Sequence, residues 1–286
     1  MRALITGVGG FAGSYLAEYC LSQPEVEVIG LVRRRERLGH AAHLAGRIEV
    51  LEADLRDAAA TARAVATSAP DVVYHLAGQA FVPLAFEDPV GTFESNVVGQ
   101  LHLIQALLQH RPRARLLVVG SSSEYGRVGP EENPIGEDVP LRPVDPYAVS
   151  KVTQDLLGYQ YFASHQLQVV RVRPFNHTGP RQSDRFAPSW FAHRVAQIEA
   201  GRVEPEVPVG NLSAIRDFTD VRDIVRAYFL AAGRGQAGEV YNIGSGERRE
   251  NIDVTHRILS VLEKPASLIL PVTDRPGHDP RYALDS

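Results

Sequence analysis

The chain has 286 residues, a formal net charge of -4 and one cysteine. This length can bury the core of one large domain or two small ones, and the weakly acidic balance excludes the basic surface typical of proteins that bind nucleic acid or anionic membranes. A single cysteine excludes an intramolecular disulfide framework, and Cys20 lies among helix-spaced apolar residues, which indicates a buried packing role rather than a reactive thiol.

The start of the chain favours a cytoplasmic protein. Residues 1–7 enter a strand directly, without the charged and apolar leader of an exported protein. Runs of apolar residues stay well below the ~20 residues that cross a bilayer as a helix. We therefore expect no association with a membrane.

A glycine-rich turn joins the first predicted strand, over 2–6, to the first predicted helix, over 14–20. Its glycines are three residues apart, and such a turn lets the backbone and the helix N-terminus approach a pyrophosphate. An ordinary turn is the alternative, but the position between strand and helix favours a dinucleotide site. The residues assigned to it are Gly7, Gly10, Phe11, Ala12 and Gly13.

The second predicted strand, over 26–32, ends in three consecutive arginines. In dinucleotide-binding folds an acidic residue at this point suits the ribose hydroxyls of NAD, whereas an arginine suits the 2′-phosphate of NADP. The sequence therefore favours NADP, with Arg33 and Arg34 as candidate phosphate ligands. A solvated basic loop is the alternative.

Two further strands predict walls of the same site. The third strand, over 48–52, is followed by Asp54, which either binds the adenine amino group or caps the helix that begins near Asp57. The fourth strand, over 71–76, runs into small residues, which let a coenzyme lie close to the backbone at the carboxyl edge of a parallel sheet. The candidate coenzyme contacts here are Asp54, Leu55, Leu76, Ala77, Gly78 and Gln79.

A long helix is predicted over 88–110, with apolar residues on one side. Asn96 lies inside it, although an amide is not a preferred helix former. Two interpretations stay open. Asn96 either makes a polar core contact, or it forms a hydrogen bond that organises the catalytic strand and so belongs to the coenzyme site.

A hydroxyl cluster and a tyrosine–lysine pair come next. The fifth predicted strand, over 115–119, opens into Ser121 and Ser122, and Tyr147 and Lys151 are spaced to lie one turn apart on one helix face. A buried ammonium beside a phenol favours the phenolate, so Lys151 is predicted to lower the pKa of Tyr147 toward working pH. Such pairs occur by chance on solvated helices. Together with the glycine turn and the serines, this one predicts proton transfer at a carbonyl or carbinol oxygen.

The remaining elements complete an α/β architecture. Strands are predicted over 169–172 and 239–243, and helices over 186–201, 221–232 and 251–262, the last capped by Asn251. Alternating strands and helices predict a Rossmann-like, doubly wound parallel sheet with a smaller C-terminal substrate-binding lobe. We expect the coenzyme domain over 1–170, joined by 213–243, and the lobe over 171–212 and 244–286.

These motifs resemble the extended short-chain dehydrogenase/reductase superfamily, also described as the NAD-dependent epimerase/dehydratase family. The resemblance rests on Thr6–Gly13, on Ser121–Gly126 and on the pair Tyr147 and Lys151. Downstream, the segments 173–180 and 209–223 are similar to those of GDP-6-deoxy-D-mannose reductases and, slightly less, of GDP-mannose 4,6-dehydratases.

The resemblance implies an NADP-dependent enzyme acting on a GDP-sugar, with NAD less favoured and no metal. It also implies a homodimer formed through the helices around Asn96 and Tyr147, unless their apolar stripes face the sheet of their own chain. Further coenzyme contacts are expected from Asn96, Tyr147, Lys151 and Pro174. Sugar-nucleotide contacts are expected from Gln79, Ser122, Glu124, Asn176, Val209, Arg216 and Arg281, where the two arginines bind diphosphate unless Arg216 pairs with Asp217.

The choice between reductase and dehydratase depends on one carboxylate. Elimination needs a base, and the dehydratases that this chain resembles place a glutamate three residues before the glycine matching Gly126. Here Ser123 holds that position and Glu124 follows it, pointing the opposite way if the segment is extended, unless a loop deletion returns Glu124 to the site. The sequence favours NADPH-dependent reduction of the C4 ketone of GDP-4-keto-6-deoxy-D-mannose to GDP-D-rhamnose.

Two alternatives stay open. A GDP-mannose 4,6-dehydratase or another sugar-nucleotide epimerase/dehydratase shares the fold, and a non-catalytic NADP-binding regulator would keep the fold without turnover. The intact hydroxyl, phenol and ammonium groups weigh against the regulator. Arg181 stands where reductase relatives often have glycine, which leaves the exact sugar open. The predicted catalytic residues are Ser121, Ser122, Tyr147 and Lys151.

Overall fold

The computed structural model describes residues 1–272. The strands of this part are β1 (Arg2–Thr6), β2 (Glu27–Val32), β3 (Glu49–Glu52), β4 (Val72–His75), β5 (Arg115–Val119), β6 (Gln168–Pro174), β7 (Asn176–Thr178), β8 (Val207–Val209), β9 (Ile215–Asp220), β10 (Val240–Ile243), β11 (Arg248–Glu250) and β12 (Ile269–Pro271). Seven of them form one parallel sheet in the order β10-β6-β5-β4-β1-β2-β3.

Helices cover both faces of this sheet. In chain order, the helices of the described part are α1 (Phe11–Leu21), α2 (Ala58–Ser68), α3 (Val82–Glu87), α4 (Pro89–Phe93), α5 (Gly99–His110), α6 (Pro146–His165), α7 (Ala187–Glu199), α8 (Val221–Arg234) and α9 (Asn251–Val261), of which α7 and α9 pack against each other beside the small sheets. The predicted Rossmann-like, doubly wound fold is confirmed. Within residues 1–272, no helix combines the length and the apolar character needed to cross a bilayer.

Alternation along the central strands fills two cores. In β1, Ala3 and Ile5 face the layer that contains α1 and α8, whereas Leu4 faces the layer that contains α2 and α5. Successive side chains of a strand point to opposite faces, so a strand covered on both sides has to be apolar throughout. Cys20 is fully buried in the first core, and burial raises the pKa of its thiol to about 12, which confirms its packing role.

The helix predicted as one element over 88–110 is divided. Asp88 caps α4 by accepting a hydrogen bond from Gly91 N at 2.8 Å, and a π-helical turn over Glu94–Val98 separates α4 from α5. Asn96 lies in this turn and is fully buried. The apolar spacing over 88–110 predicts one continuous helix, so it could not show this interruption. π-helical turns are rare and often accompany functional sites.

The strands after β6 form two small sheets. β7 pairs in parallel with β9, which pairs antiparallel with β11, and β8 pairs with β12. A separate small core is formed by Phe191, Val195, Val207, Val209 and Leu259. Glu250 rather than Asn251 occupies the cap position of α9, so the predicted Asn251 cap is wrong. The division into domains stays a prediction, and β9 lies in a small sheet although 213–243 was expected to return to the coenzyme domain.

Candidate coenzyme and catalytic site

The glycine turn between β1 and α1 is too tightly packed for larger residues. Gly7 has a φ of +73°, and a Cβ added there would lie 2.9 Å from backbone atoms of Ala77. A Cβ at Gly13 would lie 2.2 Å from the carbonyl oxygen of Gly7, so α1 begins directly against the turn. The glycines therefore keep the compact strand–turn–helix geometry that presents a helix N-terminus to a phosphate.

A cavity of about 600 Å³ lies beside this turn. Its lining includes nine of the predicted coenzyme residues, namely Gly7, Gly10, Arg33, Asp54, Leu55, Leu76, Ala77, Gly78 and Gln79. Residues that the sequence analysis missed are Thr6, Gly9, Leu31, Val32, Ala53, Arg56, Leu84, Asp88, Gly91, Thr92 and Ser95. Most of the missed residues lie at strand ends or in α3, α4 and the turn after them. Their approach to the glycine turn depends on tertiary packing rather than on a local motif.

Eight predicted coenzyme residues lie outside this lining, namely Phe11, Ala12, Gly13, Arg34, Asn96, Tyr147, Lys151 and Pro174. Phe11 is the first residue of α1, and its ring stacks on His177 with 6.1 Å between ring centroids. Pro174 is buried at the end of β6. The coenzyme contacts of these eight residues stay predictions.

Charged side chains line part of the cavity. Arg56 holds both carboxylate oxygens of Asp54, with its Nη2 2.7 Å from Oδ2, and this hydrogen bonding lowers the pKa of Asp54. The cap of α2 is Asp57, whose Oδ1 accepts from Ala60 N at 2.9 Å, so the alternative role of Asp54 as that cap is wrong. Arg33 is exposed, and no hydrogen bond or ion pair within residues 1–272 uses its guanidinium.

Asn96 connects the cavity wall to α6. Its Oδ1 accepts from Gln79 N at 2.7 Å, and its Nδ2 donates to Gln79 O at 3.0 Å and to Ser150 Oγ at 2.9 Å. Ser150 Oγ donates in turn to Tyr147 O at 2.7 Å. The Gln79 side chain is itself engaged, since its Nε2 donates to Thr92 Oγ1 at 3.1 Å. Asn96 is thus a buried core contact that also joins the backbone at Gln79 to α6.

The tyrosine and the lysine lie together as their spacing predicts. Asp145 caps α6 by accepting from Ala148 N at 2.7 Å, which places Tyr147 in the first turn of the helix. Lys151 lies one turn later, with its Nζ 5.9 Å from the centroid of the Tyr147 ring. The same Nζ donates to the carbonyl oxygen of Val119 at 2.9 Å, which anchors α6 to the end of β5.

The protonation of this pair differs from the prediction. Burial raises the pKa of Tyr147 to about 12, although a hydrogen bond with Ser121 opposes the shift, and burial lowers the pKa of Lys151 to about 8. The expectation that Lys151 brings the pKa of Tyr147 down toward working pH is wrong, because desolvation of the buried phenol, together with the charges of Glu124 and Asp145, raises it. Tyr147 is a neutral phenol at neutral pH, the form that can donate a proton.

The serine segment after β5 forms a short 3-10 helix over Ser122–Tyr125. Ser121 caps it through a reciprocal pair of bonds, with Ser123 N donating to Ser121 Oγ at 3.1 Å and Ser121 N donating to Glu124 Oε1 at 2.7 Å. Glu124 is fully buried, and its Oε2 lies 3.1 Å from Arg173 Nε. The structure therefore turns Glu124 into the interior, contrary to the predicted sugar-nucleotide contact, and leaves Ser123 half-buried at the surface of the segment.

Arg173 is the centre of a buried charge cluster that the sequence analysis missed. Its Nε also lies 2.9 Å from Asp155 Oδ2, and its Nη1 donates to Tyr125 Oη at 2.9 Å. Burial and the nearby Asp155 raise the pKa of Glu124 to about 8. The signal in the sequence was the presence of Arg171 and Arg173 within a strand that is otherwise apolar.

Predicted sugar-nucleotide residues occupy different environments. Asn176 is exposed in β7, and Ser122 is buried. Val209 packs in the small core, and its carbonyl oxygen accepts from Val272 N at 2.8 Å, so its side chain does not face a cleft. Arg281 lies outside the described residues.

Arg216, the predicted diphosphate ligand, and its neighbour Asp217 make separate contacts in β9. Arg216 is half-buried in β9, and its Nη1 donates to the carbonyl oxygen of Ile215 at 2.7 Å. The carboxylate of the neighbouring Asp217 accepts from Ser245 Oγ at 2.7 Å and from Gly246 N at 2.8 Å. Asp217 therefore anchors the loop after β10.

The sequence is similar to proteins of known activity along almost its whole length. A family profile described as GDP-mannose 4,6 dehydratase matches residues 4–286. The GDP-6-deoxy-D-mannose reductase of Pseudomonas aeruginosa is 34% identical over 275 residues, which covers 93% of this chain and 84% of that protein. A dTDP-glucose 4,6-dehydratase of Actinoplanes sp. is 33% identical over 301 residues, covering 100% of this chain and 89% of the relative.

Solved structures show the same likeness. The structure of RMD from Pseudomonas aeruginosa complexed with NADPH has a TM-score of 0.87 at 30% identity, covering 100% of this chain and 89% of that one. The UDP-glucose 4-epimerase of Thermus thermophilus in complex with NAD also has a TM-score of 0.87 at 30% identity, with coverage of 100% and 90%.

Proposed function

Because the chain belongs to the GDP-mannose 4,6-dehydratase family of the extended short-chain dehydrogenase/reductase superfamily, we propose that it reduces the C4 ketone of GDP-4-keto-6-deoxy-D-mannose with NADPH to give GDP-D-rhamnose. Membership of this family makes the chain an NAD(P)-dependent oxidoreductase that acts on a sugar nucleotide. Within that class, we propose that the enzyme is a reductase rather than a dehydratase.

The cavity beside the glycine turn has the chemistry of a dinucleotide site. A side chain at Gly7 or Gly13 would collide with backbone, so the glycines keep the tight strand–turn–helix geometry that pyrophosphate binding uses. Arg33 would neutralise a 2′-phosphate, and Asp54 would accept a hydrogen bond from the adenine amino group. When bound, NADPH supplies the hydride. The NADPH complex of the Pseudomonas aeruginosa relative supports this coenzyme.

Three side chains would take part in the proton transfer to the substrate oxygen. Tyr147 donates its phenolic proton to the oxygen that becomes the C4 hydroxyl, and Ser121, whose side chain acts on that phenol and lowers its pKa, holds that oxygen. Lys151 places a cation 5.9 Å from the phenol ring, where it stabilises the phenolate left after proton transfer. Ser122 is buried, so Ser121 is the better candidate for the hydroxyl role.

The orientation of Glu124 is the observation that favours a reductase over a 4,6-dehydratase. A 4,6-dehydratase needs a carboxylate to remove a proton next to the ketone. Glu124 is fully buried, caps Ser121 and is paired with Arg173, and Ser123 stands at the position expected for the elimination base. Reduction of a ketone needs no such base.

Two incubations test the proposal. With GDP-4-keto-6-deoxy-D-mannose and NADPH, we expect loss of NADPH absorbance and formation of a GDP-6-deoxyhexose. With GDP-mannose and NADP, we expect no keto product. A keto product in the second incubation would instead support a 4,6-dehydratase. Binding of NADPH without turnover in either incubation would support a non-catalytic regulator.

Arg33 is expected to set the preference for NADPH. Replacing Arg33 by alanine should weaken NADPH binding roughly 10- to 100-fold, since hydrogen bonds to charged groups contribute about 1.5–3 kcal/mol, while NADH binding changes little. Fluorescence titration with both coenzymes measures the effect. Arg34→Ala compares the two candidates, because Arg34 does not line the cavity, and a larger loss of NADPH affinity in that variant would assign the phosphate to Arg34 instead. Equal losses for NADPH and NADH in Arg33→Ala would contradict the assignment.

We further propose a homodimer that uses α6. Val149, Leu156 and Tyr159 lie on this helix and are 39%, 54% and 49% exposed, which is unusual for three apolar residues at helical spacing. In α5, by contrast, Leu103 and Leu107 are buried against the sheet, so the stripe of that helix serves its own chain.

Replacing Leu156 by glutamate is expected to shift a dimer toward the monomer in sedimentation velocity, because a charge would be buried in the apolar contact. Val261→Glu is the control, since Val261 is 66% exposed on α9, away from α6. A wild-type protein that sediments as a single chain would exclude the dimer.

A further inference from the structure

The turn that follows β7 contains an arginine in a conformation that favours glycine. Gln182 N donates to Gly179 O at 3.2 Å, which closes a four-residue turn with Pro180 in its second position. Arg181 occupies the third position with a φ of +73°. Turns with proline second and a positive φ third usually have glycine there, because a Cβ is crowded in that conformation. A free surface arginine would not need this arrangement.

The guanidinium of Arg181 is held by three side chains of α1. Its Nη1 donates to Ser14 Oγ at 3.2 Å, and its Nη2 lies 2.7 Å from Glu18 Oε1. Its Cζ lies 4.3 Å from the centroid of the Tyr15 ring. Tyr15 Oη donates in return to Pro180 O at 3.2 Å. Contacts from Arg181 to α1, and from Tyr15 of α1 back to Pro180, therefore fix the turn to the helix. We call this set of contacts the latch.

The latched turn also fixes the strand before it. The side chain of Gln182 accepts from Thr178 Oγ1 at 2.7 Å and donates to His177 O at 2.9 Å. The His177 ring stacks on Phe11, with 9° between the ring planes. Phe11 begins α1 directly after the glycine turn, and Asn176 is the neighbour of His177 in β7. The predicted sugar-nucleotide strand and the predicted phosphate turn are thus joined by one continuous set of contacts.

We propose that Arg181 is a positioning residue that couples the coenzyme turn to the sugar-nucleotide strand, so that binding of the coenzyme orders β7 and the turn after it. The sugar-nucleotide part of this inference rests on the proposed function. Arg181 adopts a glycine-favouring conformation, and its guanidinium bridges two segments that are 167 residues apart in the chain. Two sites that share such an element are linked by a coupling free energy that acts in both directions.

The test uses Arg181→Gly, which removes the latch and at the same time supplies the residue that the turn conformation favours. The variant should be folded and close to the wild type in stability, because relief of the positive φ offsets the lost contacts and the larger entropy of the unfolded chain. In hydrogen exchange, NADPH should slow exchange of the amides over 177–189 in the wild type and leave them unchanged in the variant. Protection of the glycine turn by NADPH should persist in both proteins.

Glu25→Gly is the matched control, because Glu25 is exposed and also has a positive φ, of 60°. It should keep the NADPH-dependent protection of 177–189. Glu18→Gln, which weakens the latch without touching the turn, should reduce that protection. In turnover, Arg181→Gly should raise KM for the sugar nucleotide on the order of tenfold and change kcat by less than about threefold.

Two results would overturn the coupling. One is equal protection of 177–189 by NADPH in Arg181→Gly and in the wild type. The other is a wild type whose glycine turn is protected by NADPH while 177–189 is not. If NADPH protects neither segment in the wild type, the coenzyme assignment fails as well. A reductase assignment that fails in turnover, with the exchange results as expected, leaves the coupling supported.

Discussion

Replacing Tyr147 by phenylalanine is expected to slow ketone reduction about 100- to 10,000-fold, the usual contribution of a general acid, while NADPH affinity stays within about threefold. The ring of Tyr147 is 9% exposed and packs within the first turn of α6, so phenylalanine preserves the packing and removes only the hydroxyl. The loss should fall on kcat, because the phenol is needed only when negative charge develops on the substrate oxygen.

The protonation of this residue suits the reductive direction of the reaction. Burial raises the pKa of Tyr147 to about 12, so the phenol remains protonated across the neutral range and is ready to donate. An oxidation that starts with proton removal would need the opposite state. We therefore expect the reductive rate to be insensitive to ionisation of Tyr147 itself between about pH 5 and pH 8, the range in which histidine titrates.

Single-turnover oxidation of NADPH measures the rate of ketone reduction by Tyr147→Phe, and fluorescence titration measures its affinity for NADPH. Tyr74→Phe is the matched control, because Tyr74 is 1% exposed in β4 and does not line the cavity. It should leave the rate unchanged. A Tyr147→Phe rate within about threefold of the wild type would exclude this residue as the proton donor, since general acid assistance is much larger.

The parts of the fold that depend on short-range patterns were predictable. Apolar runs identified the seven strands of the main sheet, and the spacing of Gly7, Gly10 and Gly13 identified the turn, because strand and turn formation depend on a few adjacent residues. The spacing of Tyr147 and Lys151 placed both on one helix face for the same reason.

The missed features depend on contacts between distant segments. The pKa of Tyr147 was misjudged because the depth of burial is a tertiary property, and here burial raises that pKa. The direction of Glu124 was argued for an extended segment, whereas residues 122–125 are helical and close a capping box with Ser121. In the same way, the unusual Arg181 was visible in the sequence, but its latch onto α1 was not.

Replacing Arg173 by methionine is expected to lower the free energy of unfolding by about 3–5 kcal/mol, the cost of removing one partner from a buried ion-pair cluster, although Asp155 keeps its pair with Arg171. Arg173 is 4% exposed and lies between two fully buried carboxylates, Glu124 and Asp155, at 3.1 and 2.9 Å. Methionine fills similar space but donates no hydrogen bond. Because Glu124 also caps Ser121, the serine segment of the site should loosen together with the core.

The dependence on pH distinguishes this cause from a simple packing defect. The pKa of Glu124 is raised in the folded protein even with Arg173 present, and without the arginine it should rise further. A group whose pKa is raised on folding stabilises the folded state below its unfolded pKa and loses that contribution as pH rises through the folded pKa. The deficit of Arg173→Met relative to the wild type should therefore stay nearly constant from pH 5 to pH 7 and grow above about pH 8, where Glu124 ionises in the wild type but not in the variant.

Urea unfolding at several pH values measures this deficit. Arg111→Met is the control, because Arg111 pairs with Asp71 at 3.2 Å at the surface, where such a pair contributes at most about 1 kcal/mol. Adding Glu124→Gln to Arg173→Met should recover part of the stability and flatten the pH dependence, since the amide cannot ionise. A deficit of equal size at all pH values would mean that the lost packing of Arg173, rather than an unpaired carboxylate, destabilises the variant.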